Sequence, residues 1–531
     1  MPFLQATQIS YQFDNGDTLF QSISCSMTQR RVGLVGRNGV GKSLFAALLC
    51  GERQPSTGHV VRPNSVAIYR QLPSELRSYT CTIAEFLGLQ AVLDALKQIE
   101  SGDCSQHGFD LVGDAWDLPA KLNQQLVAMN LPPDPAFLCA KLSGGQLARL
   151  QLWQLLTSDA ALLILDEPSN HLDTQAKEWL VDTMRTFSGA ILLISHDRQL
   201  LRDMDEIWEL SGLGLRVFGG HYEKYAEQKR SEVQAVERQL ACVSKQQKQL
   251  EAQAQRNREK AEQRAAQGNK LRKAGSQATI LLDGKKDKAT ARAANRRQNE
   301  ERRQSDLHAK AQRLQARKEQ LKGQTLYLTG HSPQPRNVIT LIGAELMFGN
   351  VPPQTFTLHA NDKVHLTGRN GCGKSTLLKT LVGDLPLASG ELRLNTALYY
   401  LDQHFGAVRD ELSVLDNLLQ QCAGMKEGDA RTVLAGIGFR HDRVFCQGNV
   451  LSGGEKMKLT MLIASHQPTQ PFLLLDEPDN HLDLDSKYML AQALQRYAGG
   501  FILISHDATF AQESGVQREI VMTSLSENRS I

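Results

Sequence analysis

Two acidic pairs, Asp166-Glu167 and Asp476-Glu477, are the residues of this 531-residue chain best suited to chemistry. Each closes an apolar run, Leu163-Ile164-Leu165 and Leu473-Leu474-Leu475. Each then leads into matching sequence, Pro168-Ser169-Asn170-His171-Leu172-Asp173 and Pro478-Asp479-Asn480-His481-Leu482-Asp483. The first carboxylate of such a pair suits Mg2+ and the second a hydrolytic water. The phosphate they would act on has its own cradle, Gly36-Arg37-Asn38-Gly39-Val40-Gly41-Lys42-Ser43, which returns as Gly368-Arg369-Asn370-Gly371-Cys372-Gly373-Lys374-Ser375. Glycines let backbone N–H groups turn toward a phosphate, and the helix that follows adds its dipole. Lys42 and Lys374 reach the outer phosphates, and the hydroxyls of Ser43 and Ser375 can hold Mg2+. One such loop is a moderate signal, but two loops with two matching acidic strands leave little room for chance.

Further sets recur in the same order. Leu142-Ser143-Gly144-Gly145-Gln146 and Leu451-Ser452-Gly453-Gly454-Glu455 each precede helix-like sequence, so each Ser-Gly-Gly turn becomes a second helix N-terminus able to face a phosphate. Ile194-Ser195-His196-Asp197 and Ile504-Ser505-His506-Asp507 place a histidine after a hydrophobic strand, where it can bond a terminal phosphate or the attacking water. A lone histidine there is more often structural, and its recurrence reverses those odds. Gln71 and Gln403, each after a short β-like run, can join the Mg2+ shell. Tyr11 and Phe348 lie upstream of the loops, either to stack on a base or as buried aromatics.

These residues need strands that end at one edge of a sheet. An apolar run ending in Asp-Glu reads as a buried parallel strand delivering carboxylates at its C-terminal end, where open α/β sheets bind ligands. The expected fold is α/β, with two P-loop NTPase domains. Their repeat offset locates an insertion: Lys42 and Lys374 differ by 332 positions, whereas Asp166 and Asp476 differ by 310. About 22 extra residues therefore fall in the first copy, around positions 90–138, as a helical elaboration or a longer loop.

Composition is that of an ordinary soluble protein, too long for one core. Nine scattered cysteines without a Cys-x-x-Cys pair argue for a reducing compartment and against structural zinc. No apolar stretch approaches the roughly 20 residues that span a bilayer, so a cytoplasmic protein without its own membrane segment is expected. The net charge of +3 hides a strong asymmetry. Residues 226–322 hold about 25 Lys/Arg and 12 Asp/Glu, roughly +13, which leaves the remainder near −10. Within that segment Val233, Val236, Leu240, Val243 and Leu250 follow helical spacing, and Leu307, Leu314 and Leu321 mark a seven-residue period. An antiparallel coiled-coil hairpin is the economical reading. Lys270, Arg272, Lys273, Lys285, Lys286 and Lys288 crowd its far end around Ile280-Leu281-Leu282. The hairpin is either a solvated spacer or, as its charge favours, the contact for a polyanion such as RNA. Expected boundaries are 1–225 for the first nucleotide domain, 226–325 for the basic linker and 326–531 for the second domain.

The conjunction of phosphate loop, Leu-Ser-Gly-Gly, Asp-Glu-Pro and following histidine resembles the ATP-binding cassette superfamily over roughly four-fifths of the chain. Tandem cassettes, Asn-His-Leu-Asp after each acidic pair, and a charged inter-cassette hairpin entered through Val217-Phe218-Gly219-Gly220-His221-Tyr222 resemble its ABC-F subfamily. The resemblance implies an ATPase that binds two ATP with Mg2+, pairs its cassettes within one monomer, and places the linker on the ribosome beside rRNA and P-site tRNA. Carried over, Gly36, Asn38, Gly39, Gly41, Lys42, Ser43, Gln71, Asp166, Glu167 and His196 build one half-site with Ser452, Gly453 and Gly454. Gly368, Asn370, Gly371, Gly373, Lys374, Ser375, Thr376, Gln403, Asp476, Glu477 and His506 build the other with Ser143, Gly144 and Gly145. Two departures, Glu455 for Gln146 and Leu44 for Thr376, remove no needed donor or carboxylate. Housekeeping translation factor and antibiotic protection of the ribosome both remain open; a transporter-associated or DNA-associated ATPase fits the basic hairpin less well.

Overall fold

The computed structural model describes residues 2–70, 81–102, 105–170, 172–212, 214–273, 298–299, 301–315, 317, 336–402, 405–467, 469–480 and 482–523. Two compact units share the chain, Met1–Tyr225 with Thr325–Ile531 and, separately, Ala226–Gln324.

In the first cassette the strands are β1 (Leu4–Gln12), β2 (Thr18–Met27), β3 (Arg31–Val35), β4 (Thr57–Val61), β5 (Val66–Tyr69), β6 (Leu162–Asp166), β7 (Ala190–Ile194), β8 (Glu206–Ser211) and β9 (Gly214–Gly219). They form a three-stranded antiparallel sheet, β2-β1-β4, and a six-stranded sheet, β5-β6-β7-β3-β8-β9, in which only β9 runs antiparallel to its neighbour. The second cassette has β10 (Asn337–Leu346), β11 (Gln354–His359), β12 (Lys363–Thr367), β13 (Leu387–Leu394), β14 (Leu398–Leu401), β15 (Phe472–Asp476), β16 (Phe501–Ile504) and β17 (Arg518–Val521). It repeats the plan as β11-β10-β13 and an all-parallel β14-β15-β16-β12-β17.

The apolar runs are strands because both faces of a parallel sheet are covered, so every position can be buried. Alternate side chains go to opposite cores. In β6, Leu163 and Leu165 join one core while Leu162 and Ile164 join the other. Leu473 and Leu475 of β15 likewise part from Phe472 and Leu474. Fully burying such a side chain contributes about 1.5–3 kcal/mol, so each run anchors the acidic pair at its end. The register sets Asp166 opposite Ile194 and Asp476 opposite Ile504, one residue before each pair's glutamate.

The surplus in the first copy is helical: Ile83–Phe86, Gln90–Glu100 and Leu118–Ala128 pack with the helix Gly144–Leu156 around Leu93, Leu122, Leu126 and Leu150, and Val112 of Gln106–Val112 packs on Ala95 and Leu96. At the matching place the described residues of the second copy hold two α-helices, Val414–Gln421 and Glu427–Gly436, and two 3-10 turns, His441–Phe445 and Gly448–Val450. Trp208 is fully buried, whereas Trp116, on this helical insert, is 51% exposed.

The basic unit begins in the helix Tyr222–Lys273, 52 residues and so about 78 Å long. Within the unit Val236 and Val243 are buried, and Gln247 and Glu251 share a groove with Glu301, Gln304 and His308 of the returning segment. That juxtaposition is the antiparallel pairing the heptads predict. Lys285, Lys286, Lys288 and Ile280-Leu281-Leu282 lie outside the described residues, as do the side chains of Lys270, Arg272 and Lys273.

Candidate nucleotide sites

Both phosphate loops run from a central strand into a helix, Lys42–Cys50 and Lys374–Val382, each capped by a left-handed glycine, Gly41 at φ 91° and Gly373 at φ 110°. A side chain at Gly36 would put its Cβ 2.3 Å from the Leu210 carbonyl oxygen, and at Gly368 2.7 Å from that of Met522. The chain therefore passes its neighbours closely there, and only glycine fits. Gly39 and Gly371 also have left-handed φ, but face open space. Lys42 Nζ donates to the carbonyls of Gly36 at 2.9 Å and Arg37 at 3.2 Å; Lys374 Nζ does the same with Gly368 at 2.6 Å and Arg369 at 3.0 Å. Asn38 and Asn370 lie in the same two loops, and Thr376 follows in the second helix.

The residues expected at a metal converge. Ser375 Oγ donates to Asp476 Oδ1 at 3.0 Å, and Ser43 bonds Asp166 in the same way. A hydroxyl and a carboxylate on one point are hard oxygen donors suited to Mg2+ beside a phosphate. Burial raises both aspartates, against the hydroxyls that hold them down. Tyr400, which the sequence did not single out, donates to Asp476 Oδ2 at 3.0 Å. Gln71 and Gln403 lie outside the described residues.

Glu167 and Glu477 share an uncommon backbone, left-handed at φ 49° and 50°. Their N–H groups donate to Ile194 O at 2.8 Å and Ile504 O at 3.0 Å, which holds the turn after each acidic strand against the neighbouring strand. Such strain costs on the order of 1–3 kcal/mol and persists where the surroundings over-determine it. It aims each carboxylate at the histidine beyond the next strand. His196 Nε2 lies 3.6 Å from Glu167 Oε1, and His506 Nε2 lies 3.4 Å from Glu477 Oε1.

The electrostatics of the two pairs differ. Burial pushes Glu167 up to about 7 despite the opposing charge of Lys42, and burial with Lys42 beside it holds His196 well below the ordinary imidazole range. For Glu477 burial also raises the carboxyl, but His506, Lys374 and Asn480 outweigh it and leave the group below the usual range. Asn480 bonds the Glu477 carboxylate directly.

Ser143 and Ser452 cap the helices Gly144–Leu156 and Gly453–Ser465 through reciprocal capping boxes with Gln146 and Glu455. The exchange of Gln for Glu thus preserves the cap. Gly145 and Gly454 sit in the first turns of these helices, where backbone N–H groups have no partner within the helix. Each phosphate loop also meets the segment after the other cassette's acidic strand. The Asn38 amide donates to Asp483 Oδ2 at 3.0 Å, Arg198 pairs with Glu513 at 2.8 Å, and the Arg37 charge acts on Lys458 of the second capped helix. At the other loop, Thr174 and Gln199 of the first cassette line one pocket with Gly368, Lys374 and His506. Sequence patterns could not pair Asn38 with Asp483, because the two lie 445 positions apart.

Of the two aromatics, Phe348 is 61% exposed, and its carbonyl borders Gly373 of the loop. Tyr11 is half-buried, takes a hydrogen bond from Arg53 at 2.9 Å and meets Phe13 edge-on. Phe348 is therefore not a buried aromatic, whereas Tyr11 packs, partly buried, against the core of the first cassette.

A family model described as ABC transporter matches residues 21–170 and 352–480, more than half of the chain. The chain belongs to the ATP-binding cassette family. Its relatives place these cassettes more narrowly. Putative ATP-binding protein YdiF of Bacillus subtilis is 29% identical over 96% of this chain and 78% of that protein. ATP-binding protein Uup of Escherichia coli is 29% identical over 91% and 74%, and ABC transporter F family member 2 of Arabidopsis thaliana 27% over 94% and 73%. The tandem cassettes are thus of the ABC-F type, they bind ATP, and the protein is an ATPase. Among solved structures, the RNase-L Inhibitor aligns over 97% of this chain and 87% of its own at TM-score 0.56 and 16% identity, a likeness of fold. Among the described residues, no helix is long and apolar enough to cross a membrane.

Proposed function

We propose that this cassette ATPase is a cytoplasmic, monomeric, ribosome-associated factor. Two ATP are bound head to tail, each between one cassette's phosphate loop and the other's Ser-Gly-Gly turn. The closed state places the basic segment on rRNA and P-site tRNA, and hydrolysis releases it. Ser43 with Asp166, and Ser375 with Asp476, would hold Mg2+, joined by Gln71 and Gln403; the metal would neutralise phosphate charge. Glu167 and Glu477 hold the attacking water, and His196 and His506 steady the terminal phosphate. A neutral His196 suits that role, since it can donate one N–H without bringing a second charge to the site.

One observation carries the polyanion reading: a single segment, 226–322, concentrates roughly +13 in a chain whose remainder is near −10. Paired as an antiparallel hairpin, the segment would carry that charge on one projecting element. Binding of a hydrolysis-stalled variant, Glu167→Gln with Glu477→Gln, to ribosomes, DNA and membrane vesicles tests the reading. Ribosome co-sedimentation that needs ATP supports it, and equal recovery with vesicles or DNA overturns it.

A further inference from the structure

The helices after the two Asn-His-Leu-Asp segments each carry a lysine four residues beyond the aspartate, Lys177 and Lys487, each only 7% exposed. A lysine deprived of water needs carboxylates, and both find one next to their own cassette's histidine. Lys177 Nζ lies 2.7 Å from Asp197 Oδ2, and Lys487 Nζ lies 3.5 Å from Asp507 Oδ2. If these were ion pairs internal to each cassette, nothing more would follow. Both ammonium groups, however, also reach the other cassette. Lys177 Nζ donates to the backbone carbonyl of His506 at 3.4 Å. Lys487 borders the same narrow cleft as Glu167 and His196, and its charge acts on both.

We propose that Lys177 and Lys487 are positioning residues acting in trans, each steadying the Glu–His pair of the opposite cassette so that water is held correctly only when the two cassettes are closed. The inference rests on the reading of Glu167–His196 and Glu477–His506 as the water-handling pairs. Its physical basis is that a backbone carbonyl tied to a buried ammonium fixes the strand end from which His506 projects. The two arrangements are not equivalent. Asp479 occupies the place that Ser169 takes in the first copy and gives Lys487 a second carboxylate of its own cassette at 3.8 Å. Lys177, without that second carboxylate, is the one that makes a direct bond across the interface.

The test isolates one site at a time by steady-state kinetics. In the Glu167→Gln background only the site with Glu477 turns over. There Lys177→Gln should lower kcat about tenfold, the range seen when a residue orienting a reacting group is lost, while KM for ATP moves less than about twofold. Lys177→Arg, which keeps a charged donor, should recover most of that loss. In the Glu477→Gln background the same Lys177→Gln change should cost at least about fivefold less. Because Lys177→Gln strands Asp197, the double variant Lys177→Met with Asp197→Asn is measured beside it; it removes the pair as a unit and should show the same site preference. Equal loss of kcat in both backgrounds, or no loss in the Glu167→Gln background, overturns the proposal. Continued hydrolysis by Glu167→Gln with Glu477→Gln would instead overturn the underlying assignment of the glutamates.

Discussion

The backbone amide of Asn38, in the first phosphate loop, donates to Asp483 Oδ2 of the second cassette at 3.0 Å. Asp483 is 7% exposed, and its other oxygen caps the following helix by accepting from the Ser486 amide at 2.8 Å. One carboxylate thus ties the start of a helix in one cassette to the phosphate loop of the other. Asp483→Ala should lose both bonds, costing about 1 kcal/mol as a cap, and should raise the ATP concentration needed to close the cassettes. Asp483→Asn keeps the cap, so closure followed by fluorescence transfer between the cassettes separates the two effects. Equal closure in Asp483→Ala and the parent would show that the bond across the interface does not assist it.

Chemistry and binding should separate by residue. Phosphoryl transfer is catalysed by positioning and charge stabilisation, so Glu167→Gln with Glu477→Gln should keep ATP bound while steady-state turnover falls at least about a hundredfold. Lys42→Ala with Lys374→Ala should weaken ATP binding itself. Nucleotide retention on a desalting column beside phosphate release reads both outcomes.

The glycines of one loop should not be equivalent. Gly36→Ala drives a Cβ to 2.3 Å from the Leu210 carbonyl oxygen, whereas Gly39→Ala meets no atom within 4 Å and pays only for its φ of 82°. The second cost is on the order of 1–2 kcal/mol. Urea midpoints should therefore fall further for Gly36→Ala, and a reversed order would contradict the close approach.

Acid should remove a defined part of the stability. Burial alone would raise Asp197, but Lys177 and Lys487 outweigh it and hold the carboxyl below its usual value. A group depressed in the folded state stabilises fully above its unfolded pKa, about 3.9, and loses that contribution as pH falls through the folded value. Asp197→Asn strands Lys177 and should cost about 3–5 kcal/mol at neutral pH. The gap between parent and variant in thermal unfolding should narrow only below about pH 4. A gap that closes already at pH 6 would exclude this pair as its source.

Ribosome binding through the basic segment should be steeply salt-dependent. Replacing Lys270, Arg272, Lys273, Lys285, Lys286 and Lys288 by Gln should weaken association of the ATP-trapped protein and shallow the log–log salt slope by about 0.7–0.9 for each phosphate no longer neutralised. Polar substitution of Ile280-Leu281-Leu282 separates a wedge from a closing contact: only the latter should loosen the hairpin in hydrogen exchange. An unchanged slope in the charge-stripped protein would reduce the segment to a spacer.

Repetition makes much of this protein legible in its sequence. Leu163-Ile164-Leu165-Asp166-Glu167 is a buried strand because unbroken apolar sequence can be satisfied only with both faces covered, and its match at Leu473–Glu477 doubles the statement. Glycine at 36 and 41, lysine at 42, and serine at 143 declare their backbone roles through local chemistry that operates within a few residues. The 22-residue surplus was also countable, yet its helices were not assured, since a loop of equal length leaves the same offset. What the fold alone decided lies between residues far apart in sequence. The left-handed turns at Glu167 and Glu477, the Tyr400 bond to Asp476, the Asn38–Asp483 bridge and the reach of Lys177 to His506 depend on how strands and cassettes pack. Local propensity carries no term for such contacts. The same holds for the unequal glutamates: identical Asp-Glu-Pro motifs place Glu167 near 7 and Glu477 below the usual range, because burial and neighbouring charge are set by tertiary packing and not by the motif.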